Sequence, residues 1–483
     1  DQDATCYAGV LCVLSFTGTR LGSSDYVSFA PFDGTCGASP SSADVAGGSP
    51  QQVSDALTVT LVAADVPQGG QWKMCYCTDD FARSGQRCGD GGEADFGALA
   101  GVLSVMGPSP TSQDTTCVGG YACSVPIVGR QVSAEDRVSL VAHRRRRRDS
   151  GMQTCGSEER DRNIARDAYI QVSGAQAINL TPEDLPLGGE WMMCYCVADY
   201  RACDGFEDFT ALAGVLTVLG PSADDQDYTC HAGVACIAPP STGFEGQALG
   251  NADRIALVAR ESACGDAGAS VFDAGAGPFR PVDSDVQLEL AVSDLPRGGS
   301  WKVCYCVGTE VASVNTGLCS SLEEFGVLAG ELQVLGPTSN DQSSSCIAGV
   351  ACVVGGERGF IGEISKSQDR IAFVPIGGTC GSSDKDAGIA RDAFKPLSWY
   401  NRVALDPADV PSGGQWLICF CSGSYDGCNS KEDFTAAAGV VTVAGPAPLN
   451  QDADCAAGFT CSIPGGGDFT GQGLLVAQDR ILF

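Results

Sequence analysis

Short stretches of strict alternation recur along the chain, separated by glycine, proline and aspartate. Leu57-Thr-Val-Thr-Leu and Val286-Gln-Leu-Glu-Leu put every second residue on one apolar face, the period-two pattern of a half-buried β-strand. Arg137-Val-Ser-Leu-Val, Arg254-Ile-Ala-Leu-Val and Arg370-Ile-Ala-Phe-Val read as further strands. Each alternating stretch ends in Asp-Leu/Val-Pro-x-Gly-Gly, at Asp65 to Gly70, Asp184 to Gly189, Asp294 to Gly299 and Asp409 to Gly414. Proline presets a turn and glycine tolerates angles that other residues avoid, so the chain reverses there. Directly after each turn comes Trp-x-x-Cys-aromatic-Cys. The block then closes with Phe, a Leu-Ala-Gly or Ala-Ala-Gly turn, and a strand ending in Gly-Pro.

The same order repeats with the cysteines. Cys6, Cys12, Cys36, Cys75, Cys77 and Cys88 are followed by Cys117, Cys123, Cys155, Cys194, Cys196 and Cys203. Then come Cys230, Cys236, Cys264, Cys304, Cys306 and Cys319, and Cys346, Cys352, Cys380, Cys419, Cys421 and Cys428. Cys455 and Cys461 begin a fifth block, which accounts for all 26. First cysteines lie 111, 113, 116 and 109 residues apart. That is a domain-sized period, so each block can bury a core of its own. The reading is an all-β tandem array of antiparallel sandwiches: repeats 1–111, 112–224, 225–340 and 341–449, and the start of an incomplete repeat 5 over 450–483. Asp1 already lies inside a junction motif, which suggests a window on a longer precursor.

Side chains alternate along the tryptophan strand, so Trp72, Met74 and Tyr76 share a face and Lys73, Cys75 and Cys77 share the other. The same parity holds for Trp191, Met193 and Tyr195, for Trp301, Val303 and Tyr305, and for Trp416, Ile418 and Phe420. The aromatic and aliphatic face is the core face. Both cysteines therefore point outward, and each should clip a flanking segment onto the outside of the sheet. Six cysteines per repeat mean about three disulfides, with fifteen formal connectivities. Cys6 with Cys12 across the Gly9 turn is favoured. Either Cys75 or Cys77 then takes Cys88, and the other takes Cys36.

This run, followed by a last strand ending in Gly-Pro, resembles the F and G strands of immunoglobulin-like domains. It departs from antibody-type domains in lacking the buried cross-sheet pair and the third-strand tryptophan, and in doubling the cysteine. Tandem cysteine-rich sandwiches with a Cys-Tyr-Cys strand resemble the large surface proteins of flagellated protists, including mastigoneme proteins. The resemblance implies a structural, non-enzymatic, extracellular filament subunit.

Disulfides that persist place the chain in an oxidising compartment, extracellular or at a cell or flagellar surface. A net charge of −30 argues against nucleic acid as a partner. No apolar run is long enough for a transmembrane segment in this window. The links after Gly107-Pro108, Gly220-Pro221, Gly336-Pro337 and Gly445-Pro446 are short, and proline stiffens them.

Four further features carry candidate chemistry. Junction acids such as Asp224, Asp225 and Asp227 offer oxygen ligands for calcium at domain junctions; solvated linker acids or strand caps are the plainer reading, and no other cofactor is expected. The Asp-Arg pair opening the second long strand (Asp136-Arg137, Asp253-Arg254, Asp369-Arg370 and Asp479-Arg480, with Asp25-Tyr26 at this place in the first repeat) reads as a structural salt bridge or domain contact. Arg144, Arg145, Arg146, Arg147 and Arg148 form a basic loop that reads either as a plain solvated loop, as a surface suited to an acidic neighbour or an anionic polysaccharide, or as a cleavage site for a basic-specific protease. Asn179-Leu-Thr is an N-glycosylation sequon on the outward face of its strand. No catalytic constellation is found: the chain has only His143 and His231, and no phosphate loop, zincin or dinucleotide motif, so it is not expected to be an enzyme. The leading reading is an extracellular structural repeat protein that self-associates or joins other filament subunits. An adhesin or receptor ectodomain binding glycans or proteins through variable loops is the alternative.

Overall fold

The computed structural model describes residues 2–481 except 80–87, 89–92, 144–153, 157–160, 162–163, 166–168, 241–242, 273–276, 309–318, 365–367, 426, 448–450, 462–468 and 475–477. Strands and single 3-10 turns make up its regular structure. In repeat 1 the strands are β1 (Ala4–Tyr7), β2 (Cys12–Ser15), β3 (Tyr26–Pro31), β4 (Gln51–Gln52), β5 (Thr58–Leu61), β6 (Gly70–Cys77) and β7 (Ala98–Pro108). One sheet runs β1-β7-β6-β3-β4; β2 and β5 form the other. β1 lies parallel to β7, and the remaining pairs are antiparallel. The next three repeats show the same order. This is an immunoglobulin-like sandwich in tandem, with the tryptophan strand in the F position and the Gly-Pro strand in the G position. Cα positions cluster into two compact units, one built chiefly on Asp1–Ala223 and one chiefly on Asp224–Phe483.

The two faces of β6 are both apolar, for different reasons. Trp72, Met74 and Tyr76 enter the core between the sheets with Leu14, Phe16, Phe29, Val59, Leu61, Leu103 and Val105. Cys75 and Cys77 point the other way, as alternation requires, yet they are 1% and 2% exposed. With Ala30, Cys88 and Phe96 they form a second, smaller cluster on the outside of the sheet. Cys36 bonds Cys75 and Cys77 bonds Cys88, so the outward face is roofed by the segments the cysteines hold. The same roof recurs with Cys194, Cys196, Cys203 and Phe209, and with Cys419, Cys421, Cys428 and Phe434.

The paired glycines of the turn each have a steric cause. A Cβ on Gly69 would lie 2.1 Å from the Gly107 carbonyl oxygen, and one on Gly70 would lie 2.5 Å from the Trp72 ring. The four repeats agree to within about 0.2 Å at both places, down to Gly413 on Gly445 and Gly414 on Trp416. Asp65 accepts a hydrogen bond from the Val62 N–H at 2.9 Å, and Asp184, Asp294 and Asp409 cap the same turn in their repeats.

Two sequence expectations are corrected. Leu-Ala-Gly is no turn: it lies inside the 11-residue β7 and its counterparts. A β-bulge sits there, shifting the register between Met74 and Cys75 and at the matching step in every repeat. Its glycine lets the incoming chain pass, since a Cβ on Gly214 would lie 2.6 Å from the Gln113 carbonyl. The aspartate of the Asp-Arg pair also has a different use. Asp25 is 4% exposed and accepts from the Tyr76 hydroxyl at 2.7 Å and from the backbone N–H of Gly22 and Asp79. Asp136 serves Tyr195 and Asp253 serves Tyr305 in the same way. Burial, with the carboxylate second, pushes these phenols far above their ordinary range.

Candidate functional site: the repeat junctions

The junctions between repeats are folded elements. Past the end of its own sheet, β7 pairs antiparallel with two residues of the following repeat, Pro108 with Gly129 and Gly107 with Arg130. Pro221 and Gly220 pair with Gly246 and Gln247, Pro337 and Gly336 with Gly362 and Glu363, and Pro446 and Gly445 with Gly471 and Gln472. The glycine in the receiving position is obligatory: a Cβ on Gly129 would sit 2.3 Å from the Gly107 oxygen, and the other three are as close. Each Gly-Pro carbonyl is thus gripped from both sides, because Gly69 N–H donates to the Pro108 oxygen at 2.7 Å.

The glutamine of the Gln-Asp motif staples the same place. Gln113 accepts from the Val128 N–H at 2.6 Å and donates to the Val128 carbonyl at 2.7 Å. Gln226 makes this pair with Glu245, Gln342 with Ile361 and Gln451 with Thr470. The neighbouring acids are strand caps: Asp3 accepts from Val102 N–H, Asp114 from Val215 N–H and Asp227 from Glu331 N–H, each at 2.8 Å. Among the described residues no group of three His, Cys, Asp or Glu is placed to hold a metal ion.

A second contact lies within each compact unit. In the first, the Cys6–Cys12 loop of repeat 1 seats on repeat 2: the Tyr7 ring lies 4.8 Å from the Tyr200 ring, and a Cβ on Gly9 would be 2.5 Å from the Thr210 carbonyl oxygen. In the second unit the Cys230–Cys236 loop of repeat 3 seats on repeat 4. There the His231 ring lies 5.1 Å from Tyr425, Gly233 would meet the Thr435 backbone at 2.6 Å, and Thr435 Oγ1 donates to the Ala232 carbonyl at 3.2 Å. The sequence reading expected the Cys6–Cys12 loop to close across Gly9, but not its seating on the next repeat. A signal existed: repeats 2 and 4 close their last disulfide over 7 residues, against 11 in repeat 1, and carry a tyrosine four residues after the fifth cysteine and Phe-Thr before the last strand. Repeats 1 and 3 have Phe-Gly there. The array alternates with a period of two repeats.

His231 is titratable within this contact. Burial lowers its pKa, opposed by the nearby Asp369 carboxylate, and its buried Nδ1 has no hydrogen-bond partner.

The structure pairs the other cysteines as in repeat 1. Cys6–Cys12, Cys117–Cys123, Cys230–Cys236, Cys346–Cys352 and Cys455–Cys461 close the loops. Cys155–Cys194, Cys264–Cys304, Cys380–Cys419, Cys196–Cys203 and Cys421–Cys428 pin the outer segments. Cys306 and Cys319 are also disulfide-bonded, and no cysteine is free. Around Cys455 the described residues form no counterpart of β1, whose partner in every preceding repeat is that repeat's own last strand. Asn179 is exposed on Ala177–Leu180, its Oδ1 accepting from the Ser124 hydroxyl at 2.9 Å. Arg144 to Arg148 lie outside the described residues; His143 beside them is 3.4 Å from Glu190.

Topology, repetition and the disulfides define the class: a cysteine-rich protein of tandem immunoglobulin-like domains. The chain is 22% identical over 426 residues to cysteine repeat modular protein B of Toxoplasma gondii, an alignment covering 80% of this chain and 5% of that protein. No family model matches. Solved structures similar to it include the immunoglobulin domains 1–4 of Sidekick-1 (9% identity, 92% of this chain and 96% of that chain, TM-score 0.15) and the insect immune protein hemolin (10% identity, 92% and 97%, TM-score 0.15). The strand order above, not superposition, defines the fold.

Proposed function

We propose that the chain is an extracellular structural protein whose repeats carry load in a filament or surface appendage of the mastigoneme kind, at a cell or flagellar surface. The junction is the observation that supports this reading. A tether between binding modules has no need of a strand handed from one domain to the next, nor of glycines that leave no room for any side chain. Tension entering a repeat at β1 and leaving through β7 loads four parallel-register residues in shear, Ala4 to Tyr7 against Leu103 to Met106. Three disulfides per repeat add about 2–4 kcal/mol each, chiefly by restricting the unfolded chain. Electron microscopy of the protein from its native source tests the reading. Ordered fibres with an axial repeat in whole domain lengths are expected; isolated particles without lateral order would overturn it.

One observation favours the adhesin or receptor alternative. Repeat 4 ends the turn before its fifth strand in Trp399-Tyr400, 78% and 74% exposed, where the other repeats carry Asp55-Ala56, Gly174-Ala175 and Ser284-Asp285. Exposed aromatic tips suit glycan or protein binding, and a glycan array with Trp399→Ala as control tests it.

A further inference from the structure

The two-stranded sheet of each repeat turns one residue pair from its middle toward solvent, and three repeats fill that place alike. Val13 faces Thr60, Ile237 faces Glu289 and Val353 faces Ala404 across the pair. The three aliphatics are 52%, 49% and 50% exposed. Single apolar side chains on a solvated strand face are ordinary. Repeat 2 departs from this: Ser124 faces Asn179, and both are exposed.

Asn179 opens Asn179-Leu180-Thr181, the one sequence of this acceptor type in the chain. On the strand Ala177–Leu180 the flanking Ile178 and Leu180 are 0% and 2% exposed, so alternation aims the Asn179 amide at solvent. The amide is also oriented. Its Oδ1 accepts from the Ser124 hydroxyl at 2.9 Å, and its Nδ2 makes no hydrogen bond among the described residues. Nδ2 is the atom to which a sugar is joined, and the bond from Ser124 survives that change because the amide carbonyl is kept.

We propose that Asn179 carries an N-linked glycan. The donor is an oligosaccharide joined through its C1 to a lipid diphosphate. Nδ2 attacks C1, the bond from C1 to the diphosphate oxygen breaks, the lipid diphosphate leaves, and the amide proton passes to a base of the transferring enzyme. In the folded repeat this acceptor is closed to that reaction. Asn179 and Leu180 pair with Ser124 and Cys123, and the Thr181 N–H and hydroxyl both donate to Asp184, at 2.8 and 2.9 Å. The sugar is therefore attached before the strand pairs, as the chain enters the compartment in which its disulfides form. The fold then closes without a clash, because the amide faces solvent. The inference goes beyond the structural reading and shares with it only the extracellular location.

Mass spectrometry of the protein from its native source tests this on the tryptic peptide 167–201, in which Asn179 is the only asparagine. The peptide should be heavier by a hexosamine-containing oligosaccharide. An amidase that cuts at the asparagine side chain should remove that mass and leave aspartate in place of Asn179. An unmodified peptide would overturn the proposal, and so would added mass that the amidase leaves and alkaline elimination releases from Ser173 or Thr181. A second measurement uses the chain secreted from a eukaryotic cell: Asn179→Gln should lower its mass by one glycan. Because the side chain faces solvent, hydrogen exchange at Trp191 to Cys196 should not change. Equal masses for wild type and variant would also overturn the glycan. The structural reading would survive either failure, since it stands or falls with the native fibres.

Discussion

Repeat 1 seats on repeat 2 through Tyr7 against Tyr200, and repeat 3 seats on repeat 4 through His231 against Tyr425. The backbone part of the two contacts is the same to about 0.1 Å, glycine against the carbonyl of a threonine. The ring above it changes from phenol to imidazole. Close backbone approach therefore fixes the geometry, and the aromatic contributes area and chemistry that can vary. One junction is indifferent to pH near neutrality; the other has a histidine in it.

Changes that break the shared part should act on both units and be the largest. Gly9→Val or Gly233→Val puts a β-branched residue at φ +69° or +73° and within 2.6 Å of backbone. Neither strain can relax without undocking the loop, so each should cost about 3 kcal/mol or more, read by chemical denaturation of the full chain. Gly349→Val, at φ +75° but in open space, should cost only the conformational part, about 1–2 kcal/mol. Equal losses at Gly233 and Gly349 would sink the steric account.

Truncating the receiving ring comes next. Tyr200→Ala and Tyr425→Ala should each weaken docking by about 0.5–1.5 kcal/mol, the worth of an aromatic pair beyond its area. Double-mutant cycles with Tyr7→Ala and His231→Ala would read the coupling directly.

The pH response separates the two units. Burial holds the His231 pKa below its ordinary value, so the docked state prefers the neutral ring. Its contribution is full above pH ~6.5 and is lost as pH falls through the lowered folded value. The groups facing it are Asp369 and Tyr425. Hydrogen exchange of the Cys230–Cys236 loop should quicken between pH 7.5 and 5.5, after correction for intrinsic rates, while the Cys6–Cys12 loop does not change. His231→Tyr should abolish the difference. Thr435→Val, which removes the hydrogen bond to the Ala232 carbonyl, should cost about 0.5–1.5 kcal/mol of docking, no more than the ring truncations.

The parts legible in the sequence were those set by local period. Alternation placed Trp72, Met74 and Tyr76 opposite Cys75 and Cys77, and recurring cysteine spacing exposed the repeats. Alternation could not show that the outward face becomes a second apolar cluster, because Phe96 and Cys88 arrive there only once the disulfides are made. Leu-Ala-Gly has the composition of a turn. Its glycine serves instead a bulge that admits Gln2 or its counterparts from another strand. The junctions were least legible: Gly129 and Gly246 look like ordinary loop glycines until the tail of the preceding last strand is seen lying against them.

The central claim is that the junctions are folded and continuous with the sheets. Hydrogen exchange of the junction amides tests it most directly, at Val128 and Ile361 N–H, which donate to Gln113 and Gln342, and at Ser109 and Thr338 N–H, which donate to the Val128 and Ile361 carbonyls. The account predicts protection of these four close to that of Trp72 to Cys77 in the sheet interior. Exchange at the rate of an unstructured peptide would mean that the repeats are joined by linkers after all, and the load-bearing reading would go with the junctions.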